Sequence, residues 1–225
     1  SGITCYGTMV NPPMLLVFLL SWLFAGDPGV APMPAPLPGL AEDATRSEAM
    51  ELYHDVGLVG EVASEVFVKA YARISGMAPA RMLAIADMTQ PSTSKRLYII
   101  DLDRKTLVLR TWVAHGQGTG ELMARHFSNS HGSHQTSLGL YRVGAEIVSP
   151  KHGPALLLHG LDKGTNDQAL AREVIMHGAD YVSTTFIAQH GRLGRSWGCP
   201  AVSRDQMARM IELLADGGLL YVHGN

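Results

Sequence analysis

The sequence predicts a mainly β domain, either a sandwich or a distorted barrel, with a helical N-terminal segment and a short helix after Cys199. Three observations lead to this fold class. Many short apolar runs are separated by glycine-rich turns, one amphipathic helical stripe precedes them, and a second follows Cys199. The 225 residues, 46% of them hydrophobic, are enough for one substantial core, and the chain has no internal repeat.

The first helix is predicted between Gly60 and Gly76, over residues 61–74. Its apolar side chains recur at helical spacing. They are Val62, Val66, Phe67, Ala70, Tyr71 and Ile74. This stripe indicates core packing and no more.

From Lys95 the apolar period changes and predicts strands. Residues 96–102 and 105–113 form the first pair, and the short link Asp103-Arg104 predicts a hairpin between them. Further short strands are predicted at residues 139–148, 155–159, 173–177 and 181–187.

The last helix is predicted to begin at Ser203, where Gln206 three positions later completes a capping box. Its buried face consists of Met207, Met210, Ile211 and Leu214. Gly217-Gly218 end the helix, and residues 219–222 form the final strand.

The N-terminal part of the chain is predicted to direct the protein rather than to fold with it. Residues 1–26 contain an apolar run of signal-peptide length and are interpreted as a signal peptide or, alternatively, a membrane anchor. Residues 27–45 are rich in Pro and Ala and predict a linker. Residues 46–225 remain as a single folded domain. The sequence therefore predicts export to the cell envelope or periplasm.

Charge and cysteine content exclude several classes of protein. The formal net charge is −2, and Lys and Arg are scattered, which argues against nucleic-acid binding and against a polybasic membrane patch. Cys5 precedes the apolar run and would be lost on processing. Cys199 would then be the single thiol of the mature protein, with no partner for an internal disulfide.

Cys199 and His177 are predicted to be a nucleophile and its base. Cys199 lies between Gly198 and Pro200, in a turn with Arg195 nearby, and His177 ends an apolar strand. A thiol is mostly protonated at neutral pH, so a nucleophilic Cys needs a base or a field that lowers its pKa. The alternative is that Cys199 is a small buried hydrophobe and His177 a structural histidine.

Two glycines accompany this predicted pair. The turn at Gly198 is predicted to direct backbone N–H groups toward an oxyanion. Pro200 has no N–H, so the donors would have to be Gly198, Cys199 or residues further away. Gly178 lets a substrate or another strand approach the backbone closely. Both are therefore candidates for the oxyanion region of the site.

The same residues resemble a known family. His177-Gly178, a gap of 17 residues, then Ser196-Trp197-Gly198-Cys199 is similar to the L,D-transpeptidase catalytic domains of bacterial cell-wall synthesis. The subgroup with Gly-Arg-Ser-x-Gly-Cys-Pro-Ala, which stands here at residues 194–201, is the best match. Weaker similarity lies at residues 87–101, 114–116, 127–129, 137–139, 159–161 and 166–172. The resemblance covers residues 60–222 and implies the β fold of that family.

The resemblance implies a peptidoglycan enzyme that needs no cofactor. Cys199 would attack the carbonyl between the diamino acid and the terminal D-Ala of a stem tetrapeptide, and His177 would carry the proton. An amine of a second stem peptide would resolve the thioester as a 3-3 crosslink, and carbapenems would be expected to acylate Cys199. The alternatives are an L,D-carboxypeptidase, in which water resolves the thioester, and a non-catalytic peptidoglycan-binding module.

The sequence departs from the commoner family motif at two positions. Trp197 stands where that motif has His, and Ala201 stands where it has Arg. A substrate carboxylate would then have to be held by Arg195 or Arg192. The predicted substrate-binding residues are Arg195, Ser196, Trp197, His115 and His159; the two histidines each precede a glycine, as His177 does.

Two other enzyme classes were weighed against this one. A zinc hydrolase is disfavoured because no His-Glu-x-x-His or paired Cys motif accompanies the remaining histidines, so no metal ligands are predicted. Those histidines are His126, His131, His134 and His152. A papain-like protease is disfavoured because its Cys normally precedes its His along the chain. Oligomeric state is not predicted by the sequence.

Overall fold

The computed structural model describes residues 38–225, with four α-helices and eight strands in that range. The helices are α1 (Pro38–Asp55), α2 (Ser64–Ile74), α3 (Thr184–His190) and α4 (Arg204–Leu214). The strands are β1 (Met82–Asp87), β2 (Leu97–Asp101), β3 (Thr106–Thr111), β4 (Gly139–Ser149), β5 (Gly153–Gly160), β6 (Ile175–Gly178), β7 (Ala201–Val202) and β8 (Leu219–His223). The predicted signal or anchor segment 1–26, and the linker up to residue 37, lie outside the described residues.

The eight strands of the described chain form one sheet in the order β3-β2-β1-β8-β4-β5-β6-β7. Most neighbours are antiparallel, but β1 runs parallel to β8 and β6 parallel to β7. Beyond β3, Ala114 pairs with Ala201 of β7 through N–H···O bonds of 2.8 and 3.3 Å. This contact joins the two edges of the sheet into a nearly closed barrel. The predicted mainly β fold is confirmed, in its barrel form.

Both faces of the sheet are covered, and β1 shows how the sequence divides between them. Leu83 and Ile85 pack with α1 and α2 on one face. Met82, Ala84 and Ala86 pack with α4 on the other. Alternate residues of a strand point to opposite faces, so one strand contributes to two cores. All six β1 residues are buried, and the strand therefore lacks the polar alternation by which a sequence pattern would reveal it.

The two N-terminal helices confirm the predicted helical segment. α2 follows the predicted stripe, and its residues Val66, Phe67 and Ala70 are buried against the sheet. The Tyr98 hydroxyl of β2 donates to the Glu61 carbonyl oxygen at 2.7 Å, which ties the chain before α2 to the sheet. α1 begins at Pro38 and so occupies the end of the segment predicted as linker; proline is favourable in the first turn of a helix because no N–H is needed there.

The strand predicted at residues 181–187 is wrong, because α3 forms there instead. Ser183 accepts a hydrogen bond from the Phe186 N–H at 3.2 Å, which satisfies a free donor of the first helical turn. Gly191 ends the helix in the left-handed region, at φ +69°. These capping residues outweigh the strand-forming preference of the Tyr181-Val182 stretch.

The helix after Cys199 begins where predicted, with Ser203 at its N-cap. However, the Ser203 side chain caps no backbone N–H, so the predicted capping box is wrong. Met207, Met210 and Leu214 are buried as predicted, and Ile211 is half-buried. Within residues 38–225, no helix is both long enough and apolar enough to span a membrane.

Candidate active site

Parallel pairing of β6 and β7 brings His177 and Cys199 into one region of the molecule. His177 is in register with Ala201, and its N–H donates to the Pro200 carbonyl oxygen at 3.4 Å. Cys199 lies two residues before Ala201, so His177 is about 7 Å further along the strand direction than the thiol-bearing residue. The two residues that the sequence paired are therefore neighbours at one edge of the barrel.

The turn that carries Cys199 is held by Ser196. The Ser196 hydroxyl donates to the Cys199 carbonyl oxygen at 2.6 Å and accepts from the Gly198 N–H at 3.1 Å. Gly198 has φ +121°, where a side chain would be strained. A Cβ there would also lie 2.9 Å from the Gln135 carbonyl oxygen. Ser196 is 6% exposed, which fits a role in shaping the turn rather than its predicted contact with substrate.

The hydrogen bond to Ser196 also bears on the predicted oxyanion donors. The Gly198 N–H is already bonded within the turn, so it is not available to an oxyanion as the turn stands. Gly178 serves a different contact, since a Cβ there would lie 3.1 Å from Cα of Arg204. Its missing side chain lets the start of α4 approach β6. The backbone N–H of Cys199 is the remaining predicted donor of the turn.

The Cys199 thiol is half-buried and protonated at neutral pH. It donates to the Glu173 carbonyl oxygen at an Sγ···O distance of 3.9 Å. Burial raises the pKa of Cys199 above its ordinary value, while a backbone hydrogen bond from Ile175 and the charges of Arg172 and Lys151 oppose that rise. The thiol consequently needs a base at the moment of attack.

His177 is fully buried and neutral. Burial lowers its pKa to about 4, and the nearby charges of His152, Lys151 and Arg204 act in the same direction. Its Nδ1 contacts the Gly178 carbonyl oxygen at 3.1 Å. Because a carbonyl only accepts, Nδ1 carries the proton and Nε2 holds the lone pair. Nε2 is buried without a hydrogen-bond partner, so His177 has a free basic nitrogen.

His152 stacks directly on His177. The two ring centroids are 3.7 Å apart, and the ring planes are inclined by 24°. His152 lies in the turn between β4 and β5, and burial lowers its pKa as well. In the sequence His152 is a candidate metal ligand only; its contact with His177 arises because the β4–β5 hairpin packs beside β6.

Trp197 is the exposed surface of the site, with 66% of its area accessible. The His134 ring stacks on it with a centroid distance of 5.0 Å and an inclination of 11°. The Lys151 ammonium lies 4.5 Å from the centroid of the Trp197 indole ring. Trp197 is a large aromatic residue two positions from Cys199, and the His134 ring and the Lys151 ammonium lie beside it. This arrangement is consistent with its predicted contact with substrate.

Arg195 is committed to another part of the structure. Its Nη1 pairs with the Glu121 carboxylate at 2.6 Å and donates to the Gly120 carbonyl oxygen at 3.2 Å. Arg192 pairs with the same carboxylate at 2.8 Å. These ion pairs do not fit the prediction that Arg195 or Arg192 holds a substrate carboxylate.

His115 is 1% exposed, which does not fit its predicted contact with substrate. Its Nδ1 accepts from the Arg96 guanidinium at 2.7 Å, and its Nε2 contacts the Gly120 carbonyl oxygen at 3.2 Å. Its backbone carbonyl accepts from the Ser196 N–H at 3.0 Å. His115 therefore supports the Cys199 turn from behind.

His159 lies away from His177. It is four residues along β5 from Ala155, the residue in register with His177, which corresponds to about 13 Å along the strand. Its ring lies against Gly144 of β4, where a Cβ would be 2.6 Å from Nε2. This distance argues against its predicted role in orienting His177, while its predicted contact with substrate remains a prediction.

Arg172 is a site residue that sequence reasoning missed. Its guanidinium donates to the Ser128 and Gln135 carbonyl oxygens at 2.8 and 2.7 Å, and it is close to Gly198. It thereby holds the loop of residues 128–135 beside the Cys199 turn. Its place in the segment 166–172 that resembles the family was visible in the sequence, but nothing there distinguished it from Arg192 or Arg195.

The surroundings of the histidine pair include a cavity of about 510 Å³ between the β4–β5 hairpin and α4. His152 and Gly178 line it, Glu146 stands at its wall, and Met207 and Ile211 give it an apolar floor. Among the residues that the structure describes, no three His, Cys, Asp or Glu side chains are grouped so as to hold a metal ion.

Comparison with known proteins identifies the family. The profile of the L,D-transpeptidase catalytic domain matches residues 60–223. This match covers most of the chain, and the protein belongs to the L,D-transpeptidase catalytic domain family. The predicted family is confirmed, while the predicted subgroup remains a prediction. No curated protein matches the sequence.

Several solved structures are similar to the chain at low identity. An L,D-transpeptidase from Mycobacterium smegmatis is 14% identical with a TM-score of 0.40, over 64% of this chain and 59% of that one. One from Stackebrandtia nassauensis is 15% identical with a TM-score of 0.38, over 80% and 78%. L,D-transpeptidase 1 of Mycobacterium tuberculosis is 11% identical with a TM-score of 0.36, over 64% and 62%. The chain thus spans about six-tenths of the length of these mycobacterial enzymes.

Proposed function

We propose that this protein is a cysteine-dependent peptidoglycan L,D-transpeptidase in which Cys199 is the nucleophile and His177 the general base. The observation that carries the proposal is that a half-buried thiol, in the turn that leads into β7, lies near a neutral histidine on the adjacent strand β6. The free Nε2 of His177 has the lone pair that a general base requires. Membership in the family supplies the reaction class.

The acylation step begins from a neutral pair of groups. Sγ of Cys199 attacks the carbonyl between the diamino acid and the terminal D-Ala, and the thiol proton passes to His177. The S–C bond forms and the C–N bond breaks as the imidazolium returns that proton to the leaving amine of D-Ala. The raised thiol pKa and the lowered imidazole pKa both disfavour a thiolate–imidazolium pair before substrate binds.

An amine on a second stem peptide then resolves the thioester and gives a 3-3 crosslink. The cavity lined by His152 and Gly178 supports this choice of acceptor, because it offers a second peptide a binding surface beside His152, whose ring stacks on His177. In this step the neutral amine attacks the thioester carbonyl and loses a proton to His177, the N–C bond forms, and the S–C bond breaks as the proton returns to the Cys199 thiol. If water were the acceptor, the enzyme would act as an L,D-carboxypeptidase and release a tripeptide stem.

The place of action follows from the family and from the N-terminal sequence. We propose that residues 1–26 direct export to the cell envelope, that residues from 27 onward link them to the body of the protein, and that peptidoglycan stem peptides are the partners. The cleavage of residues 1–26 is testable by N-terminal sequencing of the protein recovered from an envelope fraction.

The test of the nucleophile is intact mass after incubation with a carbapenem. We expect a covalent adduct on the wild type and none on Cys199→Ser or Cys199→Ala. With a stem tetrapeptide, Cys199→Ala should reduce turnover at least about 1,000-fold, because the thioester cannot form. Product analysis then separates a crosslinked dimer from a trimmed stem.

Two results would contradict the proposal. An adduct of the same mass on Cys199→Ala would place the reactive group elsewhere. A folded, reduced wild type that forms no thioester with either carbapenem or tetrapeptide would favour the non-catalytic peptidoglycan-binding alternative.

A further inference from the structure

The cations around Cys199 differ in whether they already have partners. Arg192 and Arg195 share the Glu121 carboxylate. Arg204 pairs with Asp180 at 2.5 Å. Arg172 is half-buried, and its guanidinium is taken up by carbonyl oxygens of the 128–135 loop. Each of these four therefore already has a hydrogen-bond or ion-pair partner.

Lys151 is the exception. It is exposed, and none of the salt bridges formed within residues 38–225 includes it. Its ammonium lies over the Trp197 indole, 4.5 Å from the ring centroid, and that ring belongs to a residue two positions from Cys199. An ammonium has three N–H donors, so the contact with an aromatic face leaves donors for an anion.

The position of Lys151 is fixed by the fold around it. It lies in the turn between β4 and β5, and its neighbour His152 stacks on His177. The turn therefore places one residue against the proposed base and the next against the aromatic wall of the site. The charge of Lys151 acts on Cys199 and on His177, and the other charged groups that act on these two residues are also cationic. An electropositive site of this kind favours an anionic ligand.

We infer that Lys151, presented over Trp197 by the β4–β5 turn, binds the free carboxylate of the residue that leaves during acylation. The inference rests on the proposed function. It adds a specificity-determining residue to that function: Lys151 would distinguish a donor peptide with a free terminal carboxylate from one in which this carboxylate is blocked. Lys151 then takes the place that the sequence had assigned to Arg195 or Arg192.

The chemistry of the donor peptide fits this arrangement. The carboxylate of a terminal D-Ala is separated from the scissile amide by a single carbon, so a cation near Cys199 can reach the carboxylate while Sγ faces the carbonyl. Trp197 holds the ammonium by a cation–π contact and leaves its N–H donors for the carboxylate. A longer or amidated peptide would lack the anion at this position.

The experiment compares a synthetic stem tetrapeptide containing diaminopimelate with the same peptide amidated at its D-Ala carboxyl. In the wild type we expect kcat/KM for thioester formation to be about 10- to 100-fold higher for the acid, as for one charge-assisted hydrogen bond. Lys151→Met should lower kcat/KM for the acid by that factor and change the amide less than about threefold. Lys151→Arg should restore most of the preference, because it keeps the positive charge.

Lys95→Met is the matched control. Lys95 also lies over a tryptophan, with its ammonium 5.2 Å from the Trp112 ring centroid, but it is not among the charges that act on Cys199 or His177. We expect it to leave the preference for the acid unchanged. Thermal melting of each variant shows that the fold is intact.

The possible outcomes distinguish a failure of the inference about Lys151 from a failure of the proposed function. If the wild type and Lys151→Met both form the thioester with the same preference for the acid, the inference is wrong and the proposed function stands. If Lys151→Met slows the acid and the amide equally, Lys151 acts on the turn rather than on the carboxylate, and the inference is again wrong. If the wild type forms no thioester with either peptide, the proposed function and this inference both fail.

Discussion

His115 and His177 share the same local sequence, a histidine followed by glycine near the end of a strand, and both are buried in the folded chain. Burial lowers the pKa of each to about 4, so both rings are neutral at physiological pH. The difference lies in their partners. Both ring nitrogens of His115 are bonded, to Arg96 and to the Gly120 carbonyl, whereas Nε2 of His177 has no partner.

This difference indicates which of the two buried histidines can act as a base. A ring whose two nitrogens are satisfied contributes to stability, because its loss strands a buried donor and a buried acceptor. A ring with an unsatisfied basic nitrogen retains the capacity to accept a proton. Burial and pKa alone do not distinguish the two cases; the hydrogen-bond partners do.

The largest expected effect separates the two histidines directly. His177→Gln should lower the rate of carbapenem acylation by about 1,000-fold, because the thiol loses its base, with a smaller effect on stability. His115→Gln should lower the free energy of unfolding by about 2–3 kcal/mol while acylation per folded molecule stays within about threefold. Acylation kinetics by intact mass, paired with urea unfolding, measure both quantities. Equal losses of acylation in the two folded variants would remove the distinction.

The next effect concerns pH and stability. The folded-state pKa of His115 and of His177 is about 4, below the ordinary value of 6.5. Between these two pH values the unfolded chain therefore binds more protons than the folded chain. The free energy of unfolding is therefore highest above pH 6.5 and decreases as the pH falls toward 4, by up to about 3 kcal/mol for each histidine. Urea unfolding at pH 7 and at pH 5 measures this loss. The loss should be smaller in His115→Gln, and an unchanged loss in that variant would show that His115 is not one of the groups responsible.

The smallest effect is expected at His159, the third histidine that precedes a glycine. It is half-buried beside Gly144 and lies about 13 Å along β5 from the level of His177. His159→Ala should therefore change stability by less than about 1 kcal/mol and leave acylation within about twofold. A tenfold fall in the acylation rate of this variant would restore His159 to the site.

Local sequence was sufficient to predict the helices and strands that have apolar residues on one face and polar residues on the other. The α2 stripe and the β2–β3 hairpin follow directly from periodicity and turn residues, and α4 follows from its buried face. β1 was not predicted, because it is buried on both faces and its sequence does not alternate between apolar and polar residues. α3 escaped because capping by Ser183 and Gly191 decides a stretch whose apolar residues favour a strand.

The candidate site divides in the same way. The residue types of Cys199 and His177, and the turn chemistry of Gly198 and Pro200, are readable from the chain. The partners of the charged residues are not, because Glu121 meets Arg195 across 74 positions and Arg172 meets Gln135 across 37. The sequence consequently pointed to Arg195 or Arg192 as the carboxylate ligand, and Lys151 was not among the candidates.

The sequence by itself determined the family, the mainly β class and the two residues proposed to carry the chemistry, because these depend on local pattern and on a short motif. Tertiary structure decided which histidine keeps a free nitrogen, which cations are already paired, and that the β4–β5 turn brings Lys151 and His152 to Trp197 and His177. The physical reason is that hydrogen bonds, ion pairs and burial are set by residues distant in the chain, and these contacts exist only once the barrel has closed.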